Sequence, residues 1–297
     1  MDFCLGTVQL GTRYGIQGNS RPSAAEAMGI LSDALEQGIC YFDTAAMYGE
    51  AEQILGEFAE RFPSQAQRMH IISKLAPDAF QNNDYDKWRE IALKNVRESL
   101  KKLKREKLEA FLFHNASHIF DPSAVEALDY VREMGLVDSI GVSIYTPQEA
   151  MRALEHPQIS SIQVPYNVFD QRLDRCGFFA EARQKKVHVY ARSSLLQGLA
   201  VMKPGELSTE MEFAFPYLEK FHLICGDFKI SPLHAAIGFV AGNPGIGHIV
   251  FGVDSRRQLA QYAALRTQTI PIQMRDALAD AFKYVDEKLV NPSMWGR

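Results

Sequence analysis

The chain has 297 residues, 46% of them hydrophobic, enough to bury the core of one large α/β barrel or of two smaller domains. A formal charge of -4 and a pI near 6.1 leave no electrostatic footprint for a nucleic-acid partner. Cys4, Cys40, Cys176 and Cys225 are scattered without a CxxC pair, the start MDFCLGTVQLGTRYG has no basic leader followed by an apolar stretch, and no segment approaches ~20 uninterrupted apolar residues, so a soluble cytoplasmic protein with no membrane partner is expected.

Short apolar runs predict strands over 4–10, 39–42, 70–75, 108–114, 138–143, 160–164, 187–193 and 248–253. Amphipathic stretches separate them. In 23–38 the residues Ala27, Ile30, Leu31, Ala34 and Leu35 fall on one helical face, and Gly38 suits the residue just past the helix end. The basic run Lys101, Lys102, Lys104, Arg105, Lys107 alternates with Glu98, Glu106 and Glu109 and reads as the solvated end of a helix. The gap from Met202 to Leu233 reads as an extended loop carrying a helix over 206–222. Eight strand–helix units without a linker predict a single (β/α)8 TIM barrel domain over 1–297, in preference to a doubly wound sheet, which needs fewer strands and a Gly-rich first turn. The glycines of 242–247 (GNPGIG) precede a strand instead of joining a strand to a helix, which excludes a dinucleotide loop there.

Barrel chemistry sits at the C-terminal ends of the strands. Three successive apolar runs stop at an ionisable residue: Asp43, Lys74 and His114, with Tyr48 in the loop five residues past Asp43. A buried lysine tends to lose its proton, but an adjacent aspartate keeps it cationic, and a cation beside a phenol draws its pKa down from ~10. Tyr48 then serves as a proton donor to a carbonyl oxygen that His114 orients. A lone Asp, Lys or His at a strand end is usually a cap or a satisfied partner of backbone. Three on consecutive strands are harder to explain that way.

The segment Asp43 to Gly49 with Tyr48, followed by Glu52 and Leu55-Gly56, resembles the aldo-keto reductase signature. The resemblance continues in order through Ser73-Lys74, Ser99-Leu100 with Leu103, His114, Gly141-Val142-Ser143, Gln163 and Tyr166-Asn167. It implies a barrel that binds NADPH, with NADH as the second choice, and reduces a small carbonyl substrate, Asp43 and Lys74 tuning Tyr48. It also implies nicotinamide contacts from Ser143 and Gln163, although the asparagine that commonly follows the serine is Ile144 here. Arg192 stands where the family has a tyrosine stacked on the nicotinamide, and its planar guanidinium suits stacking, a phosphate or an acidic substrate. Ser193, Leu195, Gln197 and Gly198 fall in the pyrophosphate loop. Gly252 and Ser255 lead into a helix whose free amides, with Arg256 and Arg257, are expected to hold the phosphate of the adenosine ribose, while Gln258, Gln261 and Tyr262 replace the usual adenosine contacts.

His114 and His118 lack a third ligand at useful spacing, so no metal is expected. Tyr14, Trp88, Tyr145 and Trp295 are candidates to line a substrate pocket. The 192–199 run resembles family members acting on sugar-derived carbonyls. Two other readings are a cofactor-binding regulatory subunit and a cofactor-independent lyase or isomerase using Lys74, which needs a neutral amine. The oligomeric state is not set by the sequence.

Overall fold

The computed structural model describes residues 1–16 and 21–295. Eight parallel strands close into a barrel in chain order: β1 (Asp2–Gly6), β2 (Tyr41–Asp43), β3 (His70–Leu75), β4 (Leu108–Phe113), β5 (Val137–Ser143), β6 (Ile159–Pro165), β7 (His188–Arg192) and β8 (His248–Gly252). All eight expected strands are present. The first is shorter than expected, because after Gly6 the chain turns into a short helix, Val8–Gly11. Thr7 donates from both its backbone N and its Oγ1 to the Asp43 carbonyl, which ends the β1–β2 ladder there.

Residues two apart share a face of a strand. The inward face therefore stacks in three levels. At the bottom stand Asp2, His70, His188 and His248; in the middle an apolar plug of Cys4, Ile72, Leu112, Tyr190 and Val250, with Tyr41 packed on it; at the top Asp43, Lys74, Gln163 and Arg192. His114 follows directly on β4, two residues past Leu112. One apolar plug thus separates two polar ends.

The outward faces of the strands pack under the surrounding helices in a second, larger core. Helix Ala24–Glu36 buries the five expected residues, is capped by Ser23 accepting from the Glu26 amide, and is followed by Gly38 at φ 76°. Helix Trp88–Leu103 ends in the basic run, where Lys102 and Lys104 pair with Glu52 (3.5 Å) and Glu60 (3.2 Å) and Lys107 pairs with Asp138. In the long β7–β8 connection the helix runs Phe215–Asp227, later than expected. Pro216 in its first turn explains the shift, since a proline ring is accommodated at a helix start and not inside. Short 3-10 turns occupy 204–214. No single helix among the described residues is long and apolar enough to cross a membrane.

Candidate active site

Asp43 closes β2, Lys74 is the penultimate residue of β3, and His114 is the first residue past β4. Tyr48 is brought to them by a tight turn in which its amide bonds the Ala45 carbonyl (3.0 Å) and its carbonyl accepts from Ala51 (3.1 Å). Two glycines make the approach feasible. A Cβ on Gly11 would fall 1.8 Å from the Tyr48 carbonyl oxygen, and Gly49, at φ 57°, lies against the Gly11 carbonyl.

Lys74 is 1% exposed, and its buried ammonium has three hydrogens to place. Its three acceptors are Asp43 Oδ1 (2.7 Å), the Thr44 carbonyl (2.9 Å) and Tyr48 Oη (3.3 Å). Burial pulls the Lys74 pKa down, but Asp43 and Tyr48 outweigh it and the net shift is upward. A neutral amine, which the lyase reading needs, is disfavoured.

Tyr48 departs from the expectation. Burial pushes its pKa up more than Lys74 draws it down, and Asp43 adds to the rise. The physical reason is that desolvation of a phenolate outweighs one nearby cation whose charge Asp43 already partly cancels. The phenol is therefore firmly protonated. Because its oxygen accepts from Lys74, its own hydrogen is free to point elsewhere.

The His114 ring meets the Tyr48 ring edge-on at 5.7 Å between centroids. Burial first, then Lys74 and Arg192, lower its pKa to about 3, so the imidazole is neutral. Its Nδ1 is buried without a partner. An orphaned N–H costs more than an orphaned lone pair, so the hydrogen belongs on Nε2, the nitrogen left for a ligand. His118, by contrast, packs among Phe80 and Phe113.

A cleft of about 520 Å³ extends from Tyr48, His114 and Tyr145 round the rim to Gln258, Gln261 and Tyr262. Ser143 Oγ donates to Gln163 Oε1 (3.2 Å), and Gln163 Nε2 donates to Asp43 Oδ1 (2.7 Å), so both cleft residues are wired to the buried carboxylate. Ile144 is buried; its backbone alone is used, its carbonyl accepting from Arg192 Nη2 (2.8 Å). From Ser193 to Gly198 the backbone takes left-handed φ at Ser193, Leu196, Gln197 and Gly198. Non-glycine residues held there carry strain of the kind stored at ligand sites. Asn167 supports this loop by donating to the Ser193 carbonyl (3.0 Å). The signature residues Ser73 and Glu52 bond each other (2.7 Å) beneath the site.

Whether a nicotinamide nucleotide suits this cleft is tested by its polar atoms. Gln9 Oε1 and Ser194 Oγ belong to cleft-lining residues and are buried without partners, as ligand-facing groups are before a ligand satisfies them. A Cβ on Gly252 would come within 2.1 Å of Gln9 Oε1, so that glycine makes room for the amide. The cleft therefore fits an elongated polar ligand. Gln9 was missed in the sequence because it was read as part of a strand.

Beyond β8, Ser255 caps helix Arg256–Ala263 by accepting from the Gln258 amide, and Gln258 Oε1 accepts from the Asp254 amide (2.6 Å). Gln258, Gln261, Asp254 and Tyr262 line the cleft; Ser255 and Arg256 do not. Arg256 is turned away and bonds both Asp33 oxygens (2.6 and 2.8 Å), contrary to its expected phosphate contact, because a carboxylate on helix Ala24–Glu36 offers its guanidinium a fork-matched partner. Tyr262 stacks on Phe251 (4.3 Å). Of the four aromatics expected in the pocket, Tyr14 and Tyr145 line it. Trp88 stacks on Phe80, and Trp295 is buried with its indole N–H on the Lys288 carbonyl (2.7 Å); both serve packing. Val201, Met202 and Leu233, from the long connection, complete an apolar wall that the sequence did not reveal.

A closed (β/α)8 barrel with a buried acid–amine–phenol–imidazole group under a long rim cleft defines a class of barrel enzymes. The model of the Aldo/keto reductase family matches residues 2–281, nearly the whole chain, and the chain belongs to that family of nicotinamide-dependent oxidoreductases. It is similar to the uncharacterized oxidoreductase YqkF of Bacillus subtilis strain 168, 23% identical over 86% of this chain and 84% of that one. It is also similar to the aldo-keto reductase YhdN of the same strain, 23% identical over 90% and 85% of the two chains. In fold it resembles the holo form of aldo-keto reductase AKR11C1 from Bacillus halodurans, with a TM-score of 0.77, 20% identity and 98% and 95% of the two chains covered.

Proposed function

We propose that this chain reduces a small aldehyde or ketone to the alcohol using NADPH, with Tyr48 as the proton donor. The observation that carries the reading is the third hydrogen of Lys74: by donating to Tyr48 Oη, it leaves the phenol's hydrogen for a ligand in the cleft beside His114. A bound nicotinamide would supply the hydride. Ser143 and Gln163 would hold its carboxamide, Ser193, Leu195, Gln197 and Gly198 the pyrophosphate, and Gln258 and Gln261 the adenosine end.

The remaining work falls to the protein. Nε2–H of the neutral His114 orients the substrate oxygen. As that oxygen gathers negative charge it takes the Tyr48 proton, and the phenolate left behind faces the Lys74 ammonium at 3.3 Å. At that separation and an effective dielectric near 20 the attraction is on the order of 5 kcal/mol, enough to offset much of the phenolate's desolvation. Asp43, bonded by Lys74 and Gln163, keeps the amine charged throughout. Of the amides opening helix Arg256–Ala263, those of Arg256 and Gln258 are already bonded to Glu26 (2.9 Å) and to Ser255, so the proposed contact for the extra phosphate of NADPH is the Arg257 side chain, while Asp254 in the cleft wall favours NADH. NADPH is the proposed preference.

The test is fluorescence titration with NADPH and NADH, then turnover on a panel of sugar-derived, aliphatic and aromatic aldehydes and ketones. Tyr48→Phe is expected to lower reduction by roughly 10²-fold or more with cofactor affinity nearly intact. Comparable activity in that variant would discard the mechanism.

A further inference from the structure

We propose that Arg192 is the anion anchor of the substrate site and that the preferred substrate is a carbonyl compound carrying a carboxylate. The inference rests on the carbonyl-reductase reading above and names its substrate class.

Arg192 is the last residue of β7, on the inward face two residues above Tyr190 and paired in register with Pro165 of β6. Its guanidinium does not reach toward β8. It crosses the tip of β6 to β5, where Nη2 donates to the Ile144 carbonyl (2.8 Å) and the group lies 4.5 Å over the Tyr145 ring. Nη1 donates to Ser193 Oγ (3.3 Å). All three partners are neutral. A guanidinium carries five N–H donors, and these bonds use two.

The charge balance of the cleft isolates this cation. Asp43 is matched by Lys74, and among the described residues no carboxylate lies within ion-pairing distance of Arg192. A partly buried guanidinium without a counter-ion favours an incoming anion.

The direction of the side chain selects which anion. The helix after β8, where the phosphate of the adenosine ribose is expected, lies on the opposite side of β7 from Ile144 and Tyr145. Arg192 instead acts on the reacting end: after burial and Lys74, its charge contributes to holding the His114 pKa down, and it opposes, as the smallest contribution, the rise that burial gives to Tyr48; both residues line the same cleft as Arg192. A substrate whose carbonyl oxygen sits between Tyr48 and His114 therefore meets Arg192 with its next polar group. The planar fork matches a carboxylate bidentately, and Tyr145, 51% exposed, keeps the guanidinium plane fixed from one side.

The experiment compares 4-carboxybenzaldehyde with its methyl ester, which share the aldehyde and differ in the charge. The wild-type protein is expected to favour the acid in kcat/KM by about tenfold or more, the value of one charge-assisted bond. In Arg192→Met that ratio should fall to about one, and Arg192→Lys should keep part of it, because a point charge replaces a fork. Taking the ratio within each protein removes any change in cofactor affinity. A ratio unchanged in Arg192→Met, with weakened NADPH binding, would assign Arg192 to the cofactor and overturn the inference. Calorimetry with the product of that reduction, 4-(hydroxymethyl)benzoate, separates the two readings. Binding that depends on Arg192 without any turnover sinks carbonyl reduction and keeps the anchor; equal binding by wild type and Arg192→Met sinks the anchor.

Discussion

The two ends of the barrel carry similar residue types and do different things with them. At the N-terminal mouth, His188 Nε2 and His248 Nδ1 share a 2.6 Å hydrogen bond, Tyr41 stacks on His70 and tilts onto His248 (4.7 and 4.0 Å), and His70 bonds Glu109 (2.9 Å). At the C-terminal rim stand Asp43, Lys74, Tyr48 and His114. His248 and His114 both have pKa values lowered to about 3, and burial is the main cause in each. A displaced titration therefore does not distinguish the ends. What does is geometry: rings pack around His248, whereas His114 and Tyr48 line an open cleft with a proton donor left over.

The largest effect that separates the ends is the loss of one buried partner. Lys74→Met leaves Asp43 charged and without its cation, and should cost about 3–5 kcal/mol in urea unfolding, while Glu109→Gln at the half-exposed His70 pair should cost under about 1 kcal/mol. Equal costs would erase the contrast.

Acid gives the next effect, and at both ends it has the same sign. The histidines at 188, 248 and 114 bind protons less readily folded than unfolded, where the value is 6.5, so stability present above that pH is lost as pH falls through it. The double variant His188→Leu/His248→Leu should flatten the pH dependence measured between pH 7 and 4, leaving the share that belongs to the rim. An unaltered slope would show that the lower pair titrates alike in both states.

The smallest effect belongs to Gln9, a cleft-lining residue whose amide oxygen is buried beside Gly252 without a partner. Gln9→Ala should weaken NADPH binding by roughly three- to tenfold, one hydrogen bond's worth, without moving the melting temperature. Unchanged affinity would leave Gln9 as filler beside Gly252.

Much of this was legible from the chain alone, because period-two alternation sets which side chains stack inside the barrel and where each apolar run stops. The eight strands, Asp43, Lys74 and His114 at successive tips, and the buried face of helix Ala24–Glu36 follow from local pattern. The β1 extension failed because Thr7 to Leu10 reads as strand until Gly11 is drawn against the Tyr48 turn. Arg256 could not be placed, since its partner Asp33 is 223 residues away in sequence. Trp88 and Trp295 go to packing through partners close in sequence, Phe80 and Lys288, but a ring at the start of a helix or near the chain end carries no mark of the side it will take.

Local sequence thus determined the order of strands, the layers within them and the chemistry at their tips, since each depends on neighbours a few residues apart. Only tertiary structure decided which loops close the cleft and that the Tyr48 pKa rises. Both are outcomes of distant groups packed together, the second a difference between opposing burial and charge effects whose sign no spacing in the chain encodes.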